Sequence, residues 1–384
     1  MKVVYLDNNA TTAVAPEVLA AMLPYLGDLY GNPSSMHTFG GQVMNALDKA
    51  REQLAELLHC QPDEIIFTAS GSESDNTAFW SALQSQPEKR HIITTRVEHP
   101  AVLNVCQFWE REGYHVKYLG VDEKGRLDLD EYRDSLSDDT ALVSIMFANN
   151  EVGNIYPIQQ LSELAHERGI LFHTDAVQAV GKIPIDLRHM PVDMLSLSGH
   201  KIHAPKGIGA LYVRKGVRFR SFVRGGHQER GRRAGTENVP YIVGLGMAAQ
   251  LSHEFMKKER IDVALLRDKL ENGLLESIRD SRVNGDIENR LPNTSNISFK
   301  NVEGEAILLM LDRLGIAASS GSACTSGSLE PSHVLRAMGV PFNYAHGSIR
   351  LSLSRYTTDS DIDYVLKEFP GVIETLRSIS PFKD

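Results

Sequence analysis

Cysteine is scarce. Cys60, Cys106 and Cys324 are the three in 384 residues, too few and too odd a number for a disulfide framework. Long apolar runs are also missing. No stretch approaches the roughly 18 consecutive apolar residues of a membrane span, and the opening MKVVYLDNNATT has no apolar signal core before a strand-like segment. Basic residues do not dominate: 40 Lys and Arg stand against 49 Asp and Glu, a formal net charge of −9. The basic footprint of non-specific nucleic-acid binding is therefore lacking. Neither G-x-G-x-x-G nor G-x-x-x-x-G-K-[ST] stands in the strand-and-helix region, which removes the main support for a dinucleotide or P-loop site. These absences predict a reduced, cytoplasmic protein with neither membrane nor nucleic acid as a partner.

What is present is ordinary globular material, 42% hydrophobic and 23% charged, at a length that predicts roughly two or three domains. From 60 to 215 apolar, β-branched runs recur at Glu64–Thr68, His91–Thr95, His115–Leu119, Ala141–Phe147, Ile170–Thr174 and Met194–Leu197. Helical periodicity fills Ala101–Glu112, Asp128–Leu136 and Pro157–Arg168 between them. Such alternation is the signature of a mostly parallel sheet covered on both faces. From Tyr241 to Ser277 apolar residues keep helical spacing, with a break expected at the polar stretch Lys257–Asp262. A strand at Ser295–Phe299, a helix at Glu303–Asp312, a Ser/Gly/Ala-rich loop at Ser319–Ser328, a strand at Ser348–Leu353 and a last helix read as a smaller α+β domain. The expected division is a large domain over 15–255 and a small one made of 1–14 and 256–384.

In a parallel sheet, ligands bind beyond the carboxyl ends of the strands. Asp175 and Gln178 follow one strand, and Ser198-Gly199-His200-Lys201 follow another. A lysine there can condense with an aldehyde, and a carboxylate facing a pyridine nitrogen keeps that ring an electron sink. Together they are how proteins hold pyridoxal phosphate. Gly71-Ser72 opens a helix after the strand ending at Thr68, where backbone N–H groups can face a phosphate. Ser198 and His200 are placed to add donors, and His99 to lie against a flat ring. Singly, each has an ordinary explanation: a strand-end carboxylate, a helix cap, a surface lysine. Their conjunction at one sheet edge is what points to a site.

Several segments then carry a resemblance: YLDNNATT (5–12), YGNPSSMH (30–37), EHPAV (98–102), ANNEVG (148–153), HTDAVQAVGK (173–182), SGHKIHAPKG (198–207), GGHQERGRRAGTEN (225–238), SSGSACTSGSLEPSHVLRAMG (319–339) and SIRLSLSRYTT (348–358). The sequence resembles cysteine desulfurases of the pyridoxal-phosphate-dependent class V aminotransferase group, most closely the nitrogen-fixation (NifS) type. That resemblance implies the fold type I architecture of these transferases. It implies that Lys201 bonds the coenzyme aldehyde, His99 stacks on the ring as acid and base, and Asp175 pairs with the ring nitrogen. Asn150 and Gln178 would bond the phenolic oxygen. Gly71, Ser72, Ser198 and His200 would hold the phosphate, with Thr236 reaching in from the partner subunit of a homodimer. Arg350, and with it Asn150, would bind the substrate L-cysteine, and Arg350 would clamp its carboxylate. Many relatives carry Ala-Thr where Gly71-Ser72 stands, a change that keeps the hydroxyl.

Cys324 lies in a run with almost no bulky side chains, which cannot anchor itself in a core and is expected to move. The resemblance makes Cys324 the nucleophile that takes sulfur from L-cysteine, leaving L-alanine and a persulfide for a sulfur-acceptor or iron-sulfur scaffold protein. It also implies a transient iron-sulfur ligand role for Cys324, through a [2Fe-2S] cluster shared with that partner. Other readings are an aminotransferase, a selenocysteine lyase, a non-catalytic delivery scaffold, or a zinc hydrolase using His173, His200 and His203. The last lacks the H-E-x-x-H spacing.

Overall fold

The computed structural model describes residues 3–320 and 331–379. In chain order they form β1 (Val4–Tyr5), α1 (Pro16–Leu26), α2 (Thr38–Leu58), β2 (Ile65–Thr68), α3 (Gly71–Ser85), β3 (His91–Thr95), α4 (Pro100–Arg111), β4 (His115–Leu119), α5 (Leu129–Ser135), β5 (Thr140–Ser144), α6 (Ile158–His166), β6 (Leu171–Asp175), β7 (Met194–Ser198) and β8 (Gly209–Val213). Next come α7 (Val239–Ser277), β9 (Ser281–Val283), β10 (Thr294–Phe299), α8 (Gly304–Arg313), β11 (Ile316–Ala317), α9 (His333–Ala337), α10 (Phe342–Ala345), β12 (Ser348–Ser352) and α11 (Asp359–Ile379).

Seven strands make one sheet in the order β2-β8-β7-β6-β5-β3-β4. All are parallel except β8, which pairs antiparallel with both β2 and β7. The sequence reading does not single out β8. It follows β7 through a short connection with no crossover helix, so it can only return antiparallel. Each strand feeds both faces of the sheet: Ile65 and Phe67 pack with α1, α2 and α7, while Ile66 packs with Phe79 and Leu83 of α3 and Val102 of α4. Side chains alternating across the pleat produce two apolar layers.

The second body is the antiparallel sheet β12-β10-β9. Its core joins Ile297, Phe299, Ile349 and Leu351 to Leu270 and Leu274 of α7 and Phe369 of α11. β1 pairs parallel with β11, tying the N-terminal residues to this body. Val334, Leu335, Met338 and Ala345, which also follow β11, pack into the large core instead.

The break expected in α7 does not occur. The 39-residue helix runs unbroken, and the expected division at 255/256 falls inside it. Its first half buries Ile242, Leu245 and Ala249 in the large core, and its second half buries Val263, Leu270 and Leu274 in the small one. Lys257–Asp262 lies between, where no apolar face is required. Its residues are mostly good helix formers, and Lys258 pairs with Asp262 one turn on.

Candidate active site

The carboxyl ends of β2, β3, β5, β6 and β7 meet at one edge. Ser70 caps α3 by accepting from Glu73 N at 3.1 Å. Gly71 and Ser72 thus open a helix whose first N–H groups have no intrahelical acceptor. A Cβ on Gly71 would lie 2.8 Å from Val177 Cγ2 and 3.5 Å from Ser198 Cβ. Glycine lets this helix start approach the ends of β6 and β7 closely, and a Cβ there would require the Val177 side chain or the helix start to give. The result is a cradle of backbone donors, and the hydroxyls of Ser72 and Ser198 border it. Such a cradle fits a phosphate.

His99 caps α4, its Nδ1 accepting from Ala101 N at 3.1 Å. That bond leaves the proton of the neutral ring on Nε2. Burial pushes the imidazole below its ordinary pKa, the charges of Lys201 and His333 push the same way, and Asp175 opposes them. Asp175 ends β6 and accepts from Val177 N at 2.9 Å. Burial raises its pKa, while His99 and Lys201 draw it back. The neighbouring Asp75 is pushed well up, by burial first and then by the charge of Asp175. The two acids disfavour each other's charge, and of the pair it is Asp175 that His99 and Lys201 draw towards the charged form suited to a protonated ring nitrogen. Glu98, fully buried beside His99, is pushed up to about 8 by burial.

Lys201 ends the short turn Gly199–Lys201 after β7 and donates to the carbonyl of Ala10 at 2.8 Å and to that of Asn9. Asn9 is the hub of the site, although the sequence reading gives it no role. Its carbonyl also accepts from Gln178 Nε2 at 2.9 Å. Its Nδ2 donates to the Asn150 carbonyl at 3.1 Å and to Thr294 at 2.8 Å. Asn150 thus reaches these partners through its backbone. Arg350, at the centre of β12, donates to the Asn150 carbonyl at 3.1 Å and pairs with Asp7 at 2.8 Å. The N-terminal residues act as mortar between the two bodies.

Asp175, His99 and Lys201 are electrostatic neighbours, Gly71 meets Ser198, and Gln178, Asn150 and Arg350 join through Asn9. His200 bonds Thr11 at 3.1 Å and is pushed down to about 4, by burial first and then by Lys201. Thr236 lines a separate cavity with Thr68, Gly207 and Glu229, which contains neither Lys201 nor His99. Cys324 lies outside the described residues. Ser319, on the described side of that segment, exchanges two backbone bonds with Arg350, at 2.7 and 3.2 Å. Ser72 and His99 also line a groove of about 510 Å³ walled by Trp80, Phe108 and Phe222. The three histidines of the zinc reading point to separate partners: His173 to Ser144 and Ser196, His200 to Thr11, and His203 to the Ala13 carbonyl.

Asp7, Asn9, Asp75, Glu98 and Lys182 are absent from the sequence reading as site residues. Four of them, Asp7, Asn9, Glu98 and Lys182, lie within the quoted segments YLDNNATT, EHPAV and HTDAVQAVGK. The signal was their position in those segments, since neither burial nor partner can be read from spacing.

Comparison with known proteins gives a consistent result. The model of the family described as aminotransferase class-V matches residues 4–365. A cysteine desulfurase of Nostoc sp. is 62% identical over 384 residues, covering 100% of this chain and 96% of that protein. The cysteine desulfurase NifS of Azotobacter vinelandii is 59% identical, covering 99% of this chain and 94% of its own. Among solved structures, a NifS-like protein superposes with a TM-score of 0.92 at 40% identity over 98% of this chain and all of its own. SspA in complex with cysteine superposes with a TM-score of 0.81 at 36% identity, over 92% of this chain and 99% of its own.

Proposed function

The chain belongs to the class-V aminotransferase family, and from that premise we infer a pyridoxal-phosphate-dependent cysteine desulfurase that converts L-cysteine to L-alanine and passes on the sulfur. The observation that carries the reading is the joining of two bodies at one point. Lys201, His99 and Asp175 stand at the strand ends of one sheet, and Arg350 arrives from the other through Asn150 and Asn9. The residues named for the coenzyme fit it. The Gly71 cradle suits the phosphate, Asp175 the ring nitrogen, Gln178 the phenolic oxygen and Lys201 the aldehyde.

Bound pyridoxal phosphate supplies an electron sink for the pair left when the substrate Cα–H bond breaks. The protein does the rest. Arg350 holds the substrate carboxylate, for which a guanidinium fork is suited. The Lys201 amine takes the Cα proton and later returns one. His99 keeps its Nε2–H for the substrate side of the ring. The Cys324 thiolate attacks the substrate sulfur: an S–S bond forms, the Cβ–S bond breaks, and the electron pair stays with the carbon fragment, which is protonated and leaves as alanine. Cys324 is left as a persulfide, which a thiol of an acceptor protein can take.

The resemblance to NifS extends the reading to sulfur supply for iron-sulfur or nitrogenase metalloclusters. A [2Fe-2S] cluster shared transiently between Cys324 and the acceptor belongs to the same proposal, as does a cytoplasmic setting where thiols stay reduced. A homodimer is supported by the exposed apolar side chains of Leu19, Leu23, Leu26, Tyr30 and Met36 on and after α1. Thr236, set in a different cavity of its own chain, would then serve the partner's phosphate.

The test is incubation with L-cysteine and a reductant, following alanine, sulfide and the coenzyme spectrum together. Alanine and sulfide should rise in equal amounts. Cys324→Ala should bind the coenzyme and release no sulfur, and normal sulfide release by that variant would refute the thiol mechanism. Selenocysteine, whose selenium leaves more easily, is the comparison substrate for the lyase alternative.

A further inference from the structure

Lys182 follows Gln178 by four residues. The intervening chain turns in helical fashion: Val180 N bonds to the Ala176 carbonyl at 3.0 Å and Lys182 N to the Ala179 carbonyl at 3.0 Å. Residues four apart then share a face. Lys182 Nζ donates to Gln178 Oε1 at 2.6 Å and to Asn9 Oδ1 at 3.4 Å. The residue as a whole is half-buried, but its amino end is enclosed between these amides, beside a cavity that Lys201 also lines. Both acceptors are neutral.

A buried cation with neutral partners is a poor source of stability. Burial depresses the Lys182 amine well below its usual pKa, and Lys201 and Arg350 push it the same way. It donates to Oε1 in either protonation state. A glutamine amide is nearly symmetric in shape and can turn over at little steric cost, exchanging donor for acceptor. The Lys182 donor on Oε1, together with the purely accepting Asn9 carbonyl on Nε2, settles the choice. Gln178 Nε2 must then face away, where one of its two N–H groups is on the Asn9 carbonyl at 2.9 Å.

We propose that Lys182 is a positioning residue that locks the amide of Gln178, so that an N–H faces the coenzyme's phenolic oxygen. It touches neither coenzyme nor substrate and acts through Gln178 and Asn9. The inference rests on the reading that Gln178 bonds that oxygen, and the two can fail separately.

A double-mutant cycle read in coenzyme affinity tests it. Equilibrium dialysis of the holoenzyme gives the Kd for pyridoxal phosphate in the parent, Lys182→Met, Gln178→Ala and the double variant. Each single change should weaken binding by roughly three- to tenfold, the scale of one hydrogen bond. The double variant should be no weaker than Gln178→Ala alone, and Lys182→Arg, which keeps a donor, should stand near the parent. Should Lys182→Met not fold, Lys182→Gln replaces it in the same cycle. The proposal is overturned if the two losses multiply, or if Lys182→Met binds normally while Gln178→Ala does not. If Gln178→Ala itself binds as the parent does, the reading of Gln178 falls and the proposal with it.

Discussion

At the seven-stranded sheet, the site groups stand where strands stop: Asp175 ends β6, Ser198 ends β7, and His99 caps the helix that follows β3. At the three-stranded sheet the contributed group, Arg350, stands in the middle of β12, opposite Asn296 of β10. Strand-end groups are placed by the turn that follows them, so each can adjust alone. Arg350 is placed by the register of a ladder, and a slip of one residue would turn it to the other face. On the proposed reading, one body therefore offers adjustable chemistry and the other a fixed clamp.

The largest effect should come from the first body. Lys201→Ala should cut alanine formation by about a thousandfold or more, the scale of lost proton transfer with loss of the covalent anchor. Its melting temperature should stay within a few degrees of the parent, because the lysine lies outside both cores. Next is the clamp. Arg350→Lys keeps a charge but loses the fork, and kcat/KM for L-cysteine should fall by roughly ten- to a hundredfold. If Arg350→Lys lost no more than Asp7→Asn, the clamp would be no more specific than its own counter-ion.

Gly71→Ala should act on the cradle alone. Its Cβ would meet Val177 Cγ2 at 2.8 Å, so either the Val177 side chain or the start of α3 must give. Coenzyme affinity should drop several-fold while the KM for L-cysteine holds, as measured by dialysis and steady-state kinetics.

The smallest effect is in the pH dependence of stability. Glu98 rises to about 8 in the folded protein, from an ordinary value of 4.5. The folded state therefore holds a proton that the unfolded chain releases. Its contribution is complete at acid pH and is lost as pH rises through about 8. His173 works the other way: lowered to about 3 from 6.5, its contribution is complete above pH 6.5. Between pH 6.5 and 8 Glu98 thus pulls thermal stability down as pH rises, while Lys182, depressed in the fold, pulls it up; Glu98→Gln should therefore decline less, or rise more, than the parent over this window. Glu151, raised to about 7 by burial, keeps part of the slope in the variant.

The same contrast explains what could be read from sequence. β3 and β4 match the expected bounds, and β4 stops just before Gly120. Asp175, Ser198 and Lys201 were legible because a parallel sheet dictates which end of a strand carries chemistry. The pairing of β1 with β11 was not, since strands of two residues leave no periodicity. Asn9 and Lys182 stayed hidden for a related reason. Their importance lies in contacts between segments far apart in sequence, and Asn9 alone touches residues near 150, 178, 201 and 294. The unbroken α7 shows the opposite limit: a polar stretch is no break when the residues favour helix and both flanks are packed.

The ladder between β1 and β11 also orders events during synthesis. Tyr5 pairs with Ala317, which the ribosome adds about 310 residues later, a delay of roughly 15–60 s at translation rates of roughly 5–20 residues per second. The large sheet can form in that interval, while the first strand has no ladder partner yet. A nascent chain stalled before β11 would be compact but, on the proposed reading, catalytically blank, because Cys324 and Arg350 both come after Ala317.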